Sequence, residues 1–151
     1  MGEIIIVNTV DEILINDAHT SFVVCSKKVN YKSWNLEEIA VNKILACALL
    51  VRRNNQQSFL IDDVFHQTFK LGTQRIILKD FEILFDPEYK LDVLKFIENL
   101  SRRVKIIALW PGTYKDNILF FSKPDYEDYA AYKVSDYNIT LLIEREKYEI
   151  L

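Results

Sequence analysis

The chain has 151 residues, half of them hydrophobic and 27% charged, with a net charge of −3. That balance excludes a disordered chain and gives no global electrostatic case for nucleic acid, so any DNA contact falls to small basic patches. Three glycines leave little material for a glycine-rich phosphate loop, and the two cysteines, Cys25 and Cys47, sit in apolar surroundings as buried thiols of a reducing compartment. The length fits one domain over residues 1–151. His19 and His66 lack Cys or acidic neighbours at ligand spacing, which argues against zinc. With no basic region ahead of the first apolar run and no spanning stretch, a cytoplasmic protein without a membrane partner is expected.

Residues 3–16 carry two apolar patches, Ile4 to Val7 and Ile13 to Ile15, which suit an amphipathic helix or an edge strand equally. Residues 22–25 read as a short buried strand, followed by the basic loop Ser26-Lys27-Lys28-Val29-Asn30-Tyr31-Lys32-Ser33. Residues 36–50 have Leu36, Ile39, Ala40, Ile44, Ala46 and Leu50 near helical spacing, with Glu37-Glu38 in the first turn and Arg52-Arg53 past the end. A second helix is expected from Ser58 through Phe69, broken by Gly72.

The stretch 75–112 is the centre of the pattern. An apolar run over 75–78 continues past Lys79-Asp80 into Phe81 and Ile83-Leu84-Phe85. Asp86 offers an N-cap oxygen and Pro87 suits the first helical position, after which Tyr89, Val93, Phe96, Ile97 and Leu100 recur three or four residues apart. Residues 104–109 are nearly all apolar, as in a strand covered on both faces. Strand, helix and strand in this span predict a parallel βαβ unit. Beyond Trp110-Pro111-Gly112, residues 118–121 read as a strand and Pro124 opens an acidic, tyrosine-rich segment. In residues 137–151, Ile139, Leu141 and Ile143 would share a strand face ahead of a charged helix or frayed tail.

In open parallel sheets ligands bind outside the carboxyl ends of the strands, so the polar residues there are the candidates. Asp80 and Glu82 stand where nucleotide hydrolases place a metal-binding or water-polarising acid, and also suit an ordinary strand-end loop. Lys32-Ser33 falls where a phosphate loop has its Lys and hydroxyl, yet Ser26 and Tyr31 replace both glycines. A bulky Tyr31 disfavours the backbone geometry such a loop needs. A decayed phosphate loop and a coincidental Lys-Ser dipeptide both remain open. Trp110, Tyr114, Tyr126, Tyr129 and Tyr132 serve either an interface or the core of the carboxyl-terminal part. Arg102-Arg103 with Lys105, and Lys27-Lys28 with Lys32, are the two basic patches that could touch a DNA backbone.

Residues 81–103, the run Ile106 to Gly112 and the segment from Pro124 to Tyr132 together resemble the BrxF family, the small P-loop-containing component of type 3 BREX phage-exclusion systems. Glu82, Leu84, Phe85, Leu100, Ser101, Arg102, Trp110, Gly112, Pro124, Glu127 and Tyr129 carry the resemblance. It implies a P-loop NTPase-like three-layer α/β domain with a mainly parallel sheet, working with other defence-system proteins and with copies of itself. Two departures bear on activity. The family's strand ends in an acid followed by Asn where this chain has Lys79-Asp80, and the loop glycines are absent. The resemblance therefore implies a degenerate ATPase with little or no activity and no required cofactor, in which any ATP and Mg²⁺ would meet Lys32, Ser33, Asp80 and Glu82. Arg102, Trp110, Pro111, Gly112, Glu127 and Tyr129 are its family-motif or interaction residues. An active Mg²⁺-ATPase and a protein-interaction domain without nucleotide are the alternatives.

Overall fold

The structure is a computed structural model that describes residues 2–34, 36–43 and 75–144. Six strands form one sheet in the order β1-β9-β2-β5-β4-β3, and every neighbouring pair is parallel. They are β1 (Glu3–Val7), β2 (Phe22–Ser26), β3 (Glu37–Ala40), β4 (Arg75–Lys79), β5 (Lys105–Trp110) and β9 (Thr140–Glu144). Three short strands, β6 (Thr113–Lys115), β7 (Ile118–Phe121) and β8 (Ala130–Lys133), make a separate antiparallel sheet.

Strand alternation sorts the side chains into two cores. Val23, Cys25, Ile77, Ile107, Leu109 and Leu142 point to one face, where α1 (Glu12–Asp17) contributes Ile15 and the loop after β2 contributes Val29 and Trp34. Phe22, Val24, Ile76, Leu78, Ile106, Ala108 and Leu141 point to the other, beneath α2 (Val93–Leu100) and the small sheet. Both faces are thus covered, and the near-continuous apolar strands follow from that. Among the described residues no helix is long and apolar enough to cross a membrane.

The β4–α2–β5 unit is parallel, as the sequence predicts, with Ile76 opposite Ile106 and Leu78 opposite Ala108. Val93, Leu94, Ile97 and Leu100 are the buried face of α2, while Phe96 is half-buried at its margin. The entry to that helix differs from expectation. Asp80 adopts φ 51°, a left-handed turn that Asp tolerates, and this ends β4. Phe81 is therefore not a strand continuation. Residues Glu82–Phe85 and Pro87–Tyr89 form two 3₁₀ turns that bury Phe81, Leu84, Phe85 and Tyr89. Asp86 does not cap the α-helix. Asp92 does, its Oδ1 accepting the Lys95 N–H at 3.0 Å.

The amino-terminal patches resolve into strand β1 followed by the short helix α1. The expected helix over 36–50 is corrected at its start, because Glu37–Ala40 pair with β4 as an edge strand. The remainder of that helix and the one expected from Ser58 to Phe69 lie outside the described residues, as do Cys47, His66, Gly72 and the expected tail after Glu144. Ile139, Leu141 and Ile143 do share one face at β9.

Candidate functional site

The chain leaves the adjacent carboxyl ends of β2 and β5 in opposite directions. After β2 it packs with Val29 and Trp34 on the α1 face, whereas after β5 it builds the small sheet on the α2 face. Such a reversal is where an open parallel sheet opens a crevice for ligands. A cavity of about 220 Å³ lies there, lined by Lys27, Tyr31, Lys79, Asp80, Glu82 and Pro111.

The loop after β2 is tight. Val29 N–H donates to Ser26 O at 3.1 Å and Lys28 N–H to Ser26 Oγ at 3.1 Å, while Lys32 N–H donates to Asn30 Oδ1 at 3.3 Å. Lys32 and Ser33 then sit in an exposed turn, Trp34 N–H donates to Tyr31 O, and the chain runs on to β3. No helix opens at Lys32-Ser33, so their backbone presents no helix amino terminus to a phosphate. Neither residue lines the cavity; Lys27 and Tyr31 are what this loop places there.

Lys79 closes the site from β4. Its Nζ lies 3.3 Å from Glu38 Oε1 and donates to the Tyr31 hydroxyl at 3.4 Å, with the Tyr31 ring centre 6.0 Å away. The hydrogen bond from Tyr31, and then the Lys79 and Lys32 charges, hold the Glu38 carboxyl below its usual range. The same bonds to Tyr31 and Glu38 raise the Lys79 ammonium above its own, so Lys79 is firmly cationic. Tyr31 is raised as well, by its bond to Glu38 and then by burial. Tyr31 also packs against Trp34 at 6.3 Å between ring centres.

The turn after β4 is held by Asn42. Its N–H donates to Asp80 O at 2.8 Å and its Oδ1 accepts the Ile83 N–H at 3.2 Å. Asp80 and Glu82 both line the cavity, and one Glu82 oxygen, Oε1, is buried without a hydrogen-bond partner among the described residues. Among the described residues no three His, Cys, Asp or Glu side chains are grouped to hold a metal ion. A Lys79 ammonium beside Asp80 also repels a divalent cation. The lining is thus one phenol, two ammonium groups and two carboxylates, with Lys79 already paired to Glu38 and Tyr31.

The motif residues have divided roles. Trp110 is buried, and its Nε1–H donates to Phe120 O at 3.0 Å across the turn made by Pro111 and Gly112. Its ring meets Phe85 edge-on at 5.6 Å and Tyr132 at 6.2 Å. Of the five residues weighed as an aromatic surface, Trp110 and Tyr132 are core, Tyr114 is half-buried, and Tyr126 and Tyr129 are exposed. Glu127 joins Glu82, Asp86, Asp125 and Asp128 around an open groove of about 860 Å³, so two motif acids distant in sequence meet on one acidic surface. Arg102 is exposed at the end of α2.

The two basic patches lie at opposite ends of the sheet: Lys27 and Lys28 follow the carboxyl end of β2, whereas Arg102, Arg103 and Lys105 precede or begin the parallel β5. Lys105 is further spent on Ala18 O at 3.3 Å, and burial, then the Arg75 charge, lowers its pKa. Glu38 and Asn42 were missed by sequence reasoning because a helical pattern covered both; Tyr31, in a glycine's place, was the visible signal. Comparison with protein-family models, with curated proteins and with solved structures finds no match to this chain.

Proposed function

We propose that this chain is a P-loop-like α/β subunit without working ATPase chemistry, acting by assembly with other proteins in a bacterial antiviral complex of the BREX type. The observation that carries the loss of ATPase is the Tyr31–Lys79–Glu38 cluster, in which Tyr31 follows β2, Lys79 ends β4 and Glu38 reaches in from β3. It supports this reading because an aromatic ring and an ammonium occupy the strand-end cavity, and the ammonium is satisfied internally. Support for the defence complex comes from the resemblance around Glu82, Trp110, Gly112 and Glu127.

The deciding experiment is calorimetric titration with Mg²⁺-ATP, beside a turnover assay on the wild type and Lys32→Ala. Negligible heat and no turnover are expected. A second reading, a working Mg²⁺-ATPase, draws on Asp80 and on the unpartnered Oε1 of Glu82. It requires micromolar binding or turnover that disappears in Lys32→Ala. For the assembly itself, the tagged chain expressed with its genomic neighbours should co-purify with a methyltransferase and an alkaline-phosphatase-like protein. Purification of the chain alone from that host would defeat the BREX assignment and leave the general protein-interaction module.

A further inference from the structure

Among the described residues, the border strand β1 has an unpaired outer edge. Its one partner among the described residues is β9, and Glu3 N–H donates to Ile139 O at 2.9 Å. In a parallel ladder the N–H and C=O of one residue point to the same side, and successive residues alternate. Glu3, Ile5 and Val7 therefore bond to β9, and Ile4 and Ile6 turn their N–H and C=O groups outward. No strand among the described residues lies beyond them. Natural sheets blunt such edges with Lys, Pro or a bulge, and residues 3–7, Glu-Ile-Ile-Ile-Val, contain no Lys or Pro.

The opposite border differs. There β3 carries Glu37 and Glu38, both exposed, so two copies of that strand would bring like charges together. On β1 the exposed residues are Glu3, at the strand's start, and the aliphatic Ile6. Ile6 is 49% exposed, on the same face as Ile4, and Ile13 of the adjoining α1 is 69% exposed.

We infer that β1 pairs antiparallel with β1 of a second copy, joining the two sheets across a two-fold axis at Ile5. Parity fixes the register, because outward groups must meet outward groups. Ile4 opposite Ile6 of the second copy, and the reverse, gives two hydrogen-bonded pairs. Registers setting Ile4 against Ile4 or Ile6 against Ile6 give only one. In the favoured register the exposed Ile6 lies beside Ile4 of the second copy, and Glu3 meets Val7, so no charge faces its like. Such a contact is isologous and closes as a dimer. It involves neither the cavity nor the acidic groove and stands apart from the proposed function.

The test is sedimentation velocity of the full chain from micromolar to several hundred micromolar concentration, on the wild type, Ile6→Lys and Ile6→Thr. Both substitutions sit at a solvent-facing side chain, and the second keeps the β-branched shape if the first disturbs folding. The wild type should dimerise, and each variant should raise the dissociation constant by about tenfold or more while circular dichroism stays unchanged. Ile5→Cys checks the register, since a non-hydrogen-bonded antiparallel pair sets its Cα atoms about 4.5 Å apart, within disulfide reach. Mild oxidation should cross-link it beyond the wild-type background. A wild type that stays monomeric throughout, folded variants that dimerise as tightly, or Ile5→Cys that does not cross-link as a dimer would each overturn the proposal.

Discussion

Lys79 Nζ donates to the Tyr31 hydroxyl at 3.4 Å, joining the end of β4 to the loop that follows β2. Glu38 completes the contact, so an ammonium, a phenol and a carboxylate satisfy one another where an open parallel sheet offers its ligand crevice. Tyr31→Phe keeps the ring against Trp34 and removes only the hydroxyl. The Glu38 carboxyl, held low first by Tyr31, should then titrate closer to its ordinary value, followed by carboxyl ¹³C shifts across the acid range. A depressed carboxyl gives stability above its unfolded pKa of 4.5 that is lost as pH falls through the folded value. The variant should therefore lose less stability on acidification. Because Lys79 and Glu38 are 31% and 44% exposed, the neutral-pH cost should be under about 1 kcal/mol. A Glu38 titration identical to wild type would refute the Tyr31 contact.

Much of the sheet was legible because buried parallel strands need continuous apolar runs, and β2, β4 and β5 have them. The helix α2 was legible through the spacing of Val93, Ile97 and Leu100. What escaped was governed by tertiary context. Leu36, Ile39 and Ala40 satisfy helical spacing, but an edge strand needs only Ile39 turned inward, and pairing with β4 supplies the rest. Asp86-Pro87 imitates a helix start. The turns there form because Phe81 and Phe85 pack around Trp110, with Phe85 stacked on Phe121 at 4.0 Å. At the site, Lys79, Asp80 and Glu82 were visible as strand-end residues, while Glu38 was hidden with the strand that carries it.

The two apolar residues at the centre of α2 should now separate. Ile97 is fully buried, so Ile97→Ala should cost about 2–5 kcal/mol, the usual range for emptying a core site. Phe96 is half-buried at the margin, where solvent can fill the space it leaves, and Phe96→Ala should cost less. Urea midpoints measure both. Equal losses would place Phe96 in the core and correct the orientation of α2.

Alkaline stability should depend on Tyr137. Burial, and then its 2.7 Å bond to Asp92 Oδ2, push the Tyr137 phenol well above its ordinary 10.0. A raised folded pKa gives stability that is complete below pH 10 and is lost as pH rises toward the folded value. Tyr132, raised mainly by burial, adds to the same limb. Tyr137→Phe should cost about 1–2 kcal/mol at pH 7, as for a hydrogen bond to a charged group. It should also flatten the fall in denaturant midpoint above pH 10. An unchanged alkaline slope in the variant would remove Tyr137 as its source.

The Trp-Pro-Gly turn should prove to be a structural latch. Trp110 Nε1–H reaches Phe120 O at 3.0 Å only because the backbone at Gly112 passes close to that carbonyl. A Cβ at Gly112 would lie 1.8 Å from Phe120 O, far inside any real contact, and the neighbour is backbone rather than a yielding side chain. Gly112→Ala must therefore push β6 away from β7, breaking the pairing of Thr113 with Phe120. A loss of about 2 kcal/mol or more is expected, as for other changes that strain a packed backbone. Trp110→Phe keeps an aromatic ring beside Phe85 and Tyr132 but removes the Nε1–H bond to Phe120 O and shrinks the core, for about 2–4 kcal/mol. Denaturant midpoints and near-ultraviolet circular dichroism check both. If Gly112→Ala unfolds at the wild-type midpoint yet loses co-purifying partners, the turn is a binding surface and the latch is wrong.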